Sequence, residues 1–191
     1  MANRSPSSPD DAPLATSRHP NPAAAGLAVD AGEDTLVARS VTINRPRQEL
    51  YDFWRDFRNL PLVMENIASV TVIDKSRSHW VVRAPGDTKV EWDSILIEDI
   101  PGEVIEWRST EGASVTNSGR IEFRDSTNGR GTWVTATIAY DPPGGALGKL
   151  IATLFMREPK VQARHELRRF KQLMETGEIS TSQPPLAAPR A

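Results

Sequence analysis

The sequence predicts an α+β protein whose helices and strands are segregated along the chain. Three observations carry that expectation. Through the middle, residues 67–140, short β-patterned segments follow one another across tight turns. Two short helical patterns precede them, and one long amphipathic pattern follows. Strands in an unbroken run, with helices before and after, belong to α+β architectures and not to alternating βαβ units. No internal repeat is present.

The composition bounds the possibilities. The chain has 191 residues, enough for one ordinary domain with a core plus tails. Its net charge is −2 and its sequence pI about 6.0, so no basic surface recommends nucleic acid as a partner. It contains no cysteine, which excludes disulfides, thiolate catalysis and cysteine-ligated metal. No apolar run approaches the ~20 residues of a membrane span. The first residues lack the apolar segment of a signal peptide. A mean hydropathy of −0.43 agrees with a soluble protein, expected in the cytoplasm.

Residues 1–34 are rich in Pro, Ala, Ser and Asp and have no apolar period, so they are expected to be a disordered tail. Residues 35–43 read as the first strand. Asn44 or Arg45 can start a helix, and Pro46 suits a first turn where its missing N–H costs nothing. Leu50, Tyr51, Phe53, Trp54 and Phe57 recur at helical spacing, Asn59-Leu60-Pro61 interrupts, and Leu62, Val63 and Met64 make a second short helix. Residues 67–74 and 78–84 are strands joined at Lys75-Ser76-Arg77, and Pro85-Gly86-Asp87 turns into the next pair. Residues 114–124 and 132–140 are two more, joined at Asn128-Gly129-Arg130-Gly131. Connections this short imply an antiparallel meander. Asp141-Pro142-Pro143-Gly144-Gly145 stops the sheet. A helix is expected over 146–175, with Leu147, Leu150, Ile151 and Leu154 on one stripe and Ala163, Leu167, Phe170 and Met174 on a second. Pro159 should kink or split it, and Gly177 should cap it. The proline-rich 178–191 is expected to be a second disordered tail.

The most informative stretch is 89–110, a hairpin turning at Ile100-Pro101-Gly102-Glu103. Proline presets φ for the second turn position, and glycine tolerates the positive φ that a type II turn needs next. Symmetry about Pro101-Gly102 sets Leu96 opposite Trp107 and Ile95 opposite Arg108. Period-two geometry then separates an aromatic face (Trp92, Ser94, Leu96, Ile105, Trp107) from a charged one (Glu91, Asp93, Ile95, Ile97, Glu106, Arg108).

Several segments together carry a resemblance. They are Arg45-Pro46 before Leu50-Tyr51-Phe53-Trp54, then Asn59-Leu60-Pro61 with Met64, and Val90-Glu91-Trp92-Asp93. Glu98-Asp99-Ile100-Pro101-Gly102-Glu103 and Ile105-Glu106-Trp107-Arg108 continue it, as do Gly119 with Phe123, Gly131-Thr132 with Val134, and Tyr140-Asp141-Pro142-Pro143-Gly144. Leu167, Arg169-Phe170-Lys171 and Glu175 with Gly177 close it. Over roughly 35–177, taken as the domain, the chain resembles the START-like helix-grip superfamily. Within it, the branch is the one of polyketide cyclases/dehydrases and lipid transport, which also holds coenzyme Q-binding domains. The resemblance implies a curved antiparallel sheet of about seven strands wrapped around a long C-terminal helix, with two short helices after the first strand. It also implies a cavity between sheet and helix for a lipid, quinone or polyketide-like molecule, and no cofactor. No catalytic signature of the family maps onto this chain residue by residue.

In that fold the aromatic face of the hairpin turns toward the helix. Trp80, Val82, Trp92, Ser94, Leu96, Trp107, Asn117 and Ile121 are then expected to line the pocket, with Met64 at its mouth and Leu150 and Leu154 on its helix wall. Val115, Phe123, Val134, Ala136 and Ile138 also face inward. Ser94, Ser109 and Asn117 are the polar candidates for orienting a ligand. The competing reading is that the tryptophans only fill the core.

Glu91 and Asp93 share one face of a strand and could act as an acid/base pair, but that face is the solvated one, beside Arg108. His79 points outward. His165 is the single general-base candidate, set against a plain exposed histidine among Arg164, Arg168 and Arg169. No spacing suggests a metal site, and Gly144-Gly145 lacks the rest of a phosphate loop. Arg164, Arg168, Arg169 and Lys171 offer a peripheral contact to acidic lipids or a partner, against the simpler reading of a solvated helix end. Three functions follow: a binding or carrier module for a hydrophobic small molecule, a cyclase or dehydratase on a polyketide-like substrate, and a protein-interaction module. The first has the most support, because an aromatic inner face lacks a convincing catalytic set.

Overall fold

The computed structural model describes residues 36–84, 88–127, 129–141 and 159–180. The expected N-terminal tail, the C-terminal tail beyond residue 180, and the stretch 142–158 with Leu147, Leu150, Ile151 and Leu154 lie outside the described residues. The chain runs β1 (Leu36–Ile43), α1 (Arg47–Arg55), a 3-10 turn (Phe57–Asn59), α2 (Leu60–Val63), β2 (Ile67–Val72) and β3 (Arg77–Ala84). It continues through β4 (Thr88–Ile100), β5 (Val104–Ser109), β6 (Thr116–Asp125), β7 (Thr132–Asp141) and α3 (Pro159–Thr176).

The seven strands form one antiparallel sheet in the order β1-β7-β6-β5-β4-β3-β2. From β2 to β7 every neighbour in space is a neighbour in sequence, which is the expected meander. β1 and β2 are consecutive in the chain yet form the two opposite edges. The connection 44–66 must therefore cross the curled sheet from edge to edge. It does so as α1, the 3-10 turn and α2, with α1 against β5 and β6 and the later turns against β2. Leu50, Tyr51 and Trp54 of α1 are buried by that crossing, as are Phe57, Leu60 and Val63. This is the α+β helix-grip arrangement.

Helix α3 packs on β1 and α2. Leu167 and Phe170 drive it into the core, and the Phe170 ring meets Trp54 edge-on at 5.0 Å. Cations on α3 and at the start of α1 fasten it through backbone carbonyls. Lys171 Nζ donates to Thr42 O at 2.7 Å, Arg169 Nε to Val63 O at 3.3 Å, and Arg45 Nε to Met174 O at 2.6 Å. The helix ends at Gly177, whose N–H donates to Leu173 O at 2.8 Å.

The β4–β5 hairpin departs from the expected symmetry twice, and the departures cancel. Glu103 N–H donates to Ile100 O at 3.0 Å and Gly102 has φ 72°, so the type II turn forms. The ladder nevertheless closes at Ile100 opposite Val104, leaving a three-residue loop. A bulge between Leu96 and Glu98 restores the register, and beyond it Leu96 faces Trp107 and Ile95 faces Arg108 as the sequence predicts. Two corrections follow. Glu106 stands opposite Glu98, not Ile97, and Asp99 shares the inner side with Ile105.

Candidate functional site

The concave face of the sheet is built on aromatic rings. Trp80 and Trp92 are cross-strand partners whose ring planes stack at 10° with centroids 6.3 Å apart, and Trp80 stacks on Trp107 at 6.0 Å. Phe57, from the 3-10 turn, closes on Trp80 and Trp107 at 5.3 and 5.7 Å. The Trp107 ring lies flat because its β6 partner is Gly119: a Cβ there would stand 2.2 Å from Trp107 Cζ2. Glycine at this point is a matter of space for an indole.

A polar row crosses the same face next to the rings. Ser78 pairs with Ser94, Ser94 with Ser109, and Asn117 follows on β6, its Cα partner on β7 being Tyr140. Most of this row is occupied from within. Trp80 Nε1 donates to Ser78 Oγ at 2.9 Å and Trp92 Nε1 to Ser94 Oγ at 3.1 Å. Ser109 Oγ accepts the backbone N–H of Asn117 at 3.1 Å. Asn117 differs. Its residue is 8% exposed, it lies between inward-facing Val115 and Gly119, and among the described residues its side-chain amide makes no hydrogen bond.

The expected pocket residues fall into three groups. Val82, Ile121 and Met64 are buried in the core cluster with the three tryptophans. Ser94 is fully buried, with its hydroxyl engaged by Trp92. Leu96, Ser109 and Ile138 keep partial exposure, and Ser109 stands beside Asn117. Leu150 and Leu154 lie outside the described residues.

The expected catalytic candidates are placed elsewhere. His165 is exposed, because Arg164, His165 and Arg168 occupy the side of α3 opposite the stripe of Leu167 and Phe170. Glu91 and Asp93 are on the outer face, about half exposed, and their partner is His79 and not Arg108: His79 Nδ1 lies 2.7 Å from Asp93 Oδ1 and Nε2 3.6 Å from Glu91 Oε2. The outer face also carries Arg120, clasped by Glu98 and Glu106.

Other features were not anticipated. Glu166 lies on the edge of the buried stripe of α3, one turn before Phe170. Burial pushes its carboxyl up from 4.5 to about 7; the Glu65 carboxylate adds to this, while a hydrogen bond from Gln162 and the charge of Arg169 oppose it. The helical period that selects Ala163, Leu167 and Phe170 includes position 166, so the signal was present, masked by residue type. Asp99 accepts hydrogen bonds from the Tyr51 hydroxyl and, at 2.6 Å, from Arg55 Nε. Burial and the neighbouring Asp99 raise the Tyr51 phenol to about 12. Trp54 Nε1 is buried and has no hydrogen-bond partner among the described residues.

A surface pocket of about 400 Å³ lies between the end of β1 and the last turns of α3, lined by Thr42, Asn44, Arg130, Lys171 and Glu175. It is polar and open, unlike the aromatic face. Among the described residues no three His, Cys, Asp or Glu side chains are grouped to hold a metal ion, and no helix is long and apolar enough to cross a membrane.

Comparison with known proteins places this arrangement. The family described as polyketide cyclase / dehydrase and lipid transport matches residues 43–168. A crystal structure from Deinococcus radiodurans is 40% identical, with a TM-score of 0.63, over 75% of this chain and 100% of that one. A Thermus thermophilus protein is 22% identical, TM-score 0.59, over 72% of this chain and 94% of that one. The Zhui aromatase/cyclase of Streptomyces shares the fold at 15% identity, TM-score 0.57, over 76% of this chain and 98% of that one. No curated protein matches the sequence.

Proposed function

The chain belongs to the polyketide cyclase / dehydrase and lipid transport family, and from that premise we propose that it binds or carries a hydrophobic small molecule between the concave sheet and the C-terminal helix. The observation that carries this reading is Asn117. Asn117 sets a primary amide on the apolar concave face, with no side-chain hydrogen bond among the described residues, so it is free to meet a polar atom of a ligand. A ligand that brings a polar atom to it would satisfy donor and acceptor together, while its apolar body lies along Leu96, Trp107 and Ile138. Binding sites of this kind are mostly apolar with a few placed polar groups, which is the composition of this face.

The carrier reading is preferred to an enzymatic one, because His165 faces solvent and Glu91 and Asp93 lie on the outer face. The test is native mass spectrometry together with thermal shift of the purified protein. The ligands are a long-chain fatty acid, a short-chain ubiquinone and an aromatic polyketide. The expected result is a one-to-one adduct with at least one class, accompanied by a rise in melting temperature. A protein that takes up none of the three, and gains stability from none, would overturn the proposal.

A further inference from the structure

Helix α3 sends Leu167 and Phe170 into the core and carries a second, charged row along its β1 side. Positions 164, 168, 171 and 175 recur at helical spacing, so Arg164, Arg168, Lys171 and Glu175 share one stripe. Lys171 fixes the direction of that stripe, because its Nζ donates to Thr42 O on β1. Arg164 and Arg168 are exposed, and among the described residues neither has a carboxylate partner. β1 supplies no acid: its one titratable side chain is that of Arg39. The seam between β1 and α3 is therefore electropositive.

The row ends in the pocket of about 400 Å³ lined by Thr42, Asn44, Arg130, Lys171 and Glu175. That volume falls in the ~300–1,000 Å³ range of small-molecule sites. None of the five residues belongs to the buried core cluster, so this site is separate from the tryptophan-lined face. It is built where three elements meet: the end of β1, the β6–β7 turn and the last turns of α3. Gly131 lets the turn carrying Arg130 press against β1. A Cβ there would stand 2.1 Å from Ile43 O, and its φ is 86°. Thr132 Oγ1 holds the same junction by donating to Arg45 O at 2.8 Å.

The charges of the pocket favour an anion. Two cations line it against one carboxylate, and that carboxylate is engaged: Glu175 Oε1 accepts the Asn44 N–H at 2.7 Å, with Lys171 Nζ 3.6 Å away. A helix C-terminus repels anions, but here its last carbonyls are covered. Arg45 donates to Met174 O and Glu175 O, and the Gly177 N–H donates to Leu173 O. Lys171 and Arg130 both have interactions within the protein, and an ammonium and a guanidinium each carry several donors.

We propose that this pocket binds a phosphate monoester, on a soluble molecule or on a lipid headgroup, with Arg130 and Lys171 holding the phosphate and Arg164 and Arg168 steering it along the seam. A phosphate brings more charge and more acceptor oxygens than a carboxylate, so it can bridge the two cations. Charges lined up beside a site raise the rate at which a charged ligand finds it. Trp133 is the neighbour of Thr42 across the ladder and is 53% exposed. An indole so placed suits a headgroup, because tryptophan settles at the interface of a bilayer.

The experiment has a soluble arm and a membrane arm. Isothermal titration compares glycerol 3-phosphate with glycerol, at about 50 mM and about 500 mM sodium chloride. Co-sedimentation compares phosphatidylcholine vesicles with and without phosphatidic acid. Wild type should bind the phosphate-bearing form in at least one arm, and the arm that responds identifies the source of the phosphate. Arg130→Ser and Lys171→Met should each weaken binding about tenfold or more, the worth of a hydrogen bond to a charged group. Lys171→Arg should keep most of the affinity. Arg164→Ser with Arg168→Ser should weaken binding at low salt and match wild type at high salt, since exposed charges are screened. Melting curves of each variant report its folding, and Arg130→Ser decides the matter if Lys171→Met does not fold.

Glycerol 3-phosphate that binds no better than glycerol, together with no preference for phosphatidic acid, overturns the proposal. So does phosphate binding that survives Arg130→Ser unchanged. A double variant that matches wild type at low salt overturns the steering role. The concave-face proposal stands or falls separately, because its ligands and variants are different.

Discussion

Asn117 and Glu166 are both polar groups set beside apolar side chains. Each predicts a mutational signature. Asn117→Leu exchanges an amide on the concave face for hydrocarbon of similar volume, so stability in urea denaturation should change by less than about 1.5 kcal/mol while ligand binding weakens. A larger loss of stability on that substitution would mean that the amide has a structural role. For Glu166 the sign follows from linkage. Its folded value of about 7 stands above the ordinary 4.5, so between those limits the folded state holds a proton that the unfolded chain has released. The stability it contributes therefore declines as pH rises through this window and stays low above it. Glu166→Gln should match wild type in melting temperature below about pH 4.5 and exceed it by a few degrees above about pH 8. Equal melting temperatures at both ends would show that the carboxyl is not desolvated.

At the scale of elements, the β4–β5 hairpin controls what faces the helix. A one-residue slip exchanges the two faces of a strand, so the bulge at Ile97 keeps the tryptophans inside although the loop has three residues. The sequence made the strands, the Pro-Gly turn and the inward tryptophans legible, because each rests on local chemistry: φ preferences, β-branched residues and period two. The compensating pair of a longer loop and a bulge was not legible, since alternation looks the same whether two offsets cancel or neither occurs. For the same reason the role of Asp99 was hidden. Only after the bulge does it turn inward to hold Tyr51 and Arg55, which join α1 to the tip of the hairpin. Tyr51→Phe should cost about 1.5–3 kcal/mol, the range for a hydrogen bond to a charged group, readable in chemical denaturation. A neutral result would mean that Arg55 alone holds the contact. The Gly119–Trp107 notch gives a sharper case. Gly119→Ala places a Cβ 2.2 Å from the indole, so the ring must leave its stack with Trp80. A loss of about 1–3 kcal/mol and an altered near-UV circular dichroism spectrum are expected. An unchanged spectrum would contradict the packing.

At the scale of the molecule, the two edges of the sheet and the position of α3 have one cause. β1 and β2 are neighbours in sequence and extremes in space, so the helical crossover between them must close one end of the curl, and α3 then lies along β1 and α2. This brings Trp54, Phe57, Trp80, Trp92, Trp107 and Phe170 into one aromatic core. Strand parity puts Asn117 on the concave face, as the alternation of β6 predicts, whereas residue type alone does not say which way a helical position faces. Histidine suggested chemistry at 165, but helical phase sends that position to solvent and brings the carboxyl at 166 toward the core. The central claim is that an apolar ligand lies against the tryptophan-lined face with Asn117 at its polar end. Tryptophan emission tests it most directly, in a Trp133→Phe background that removes the exposed indole. Menadione and dibromostearate are two quenchers of different shape, and each acts only at close range. The account predicts saturable one-to-one quenching by at least one of them, lost or much weakened in Asn117→Leu. Quenching that never saturates with either compound, or that is the same in Asn117→Leu, would contradict it.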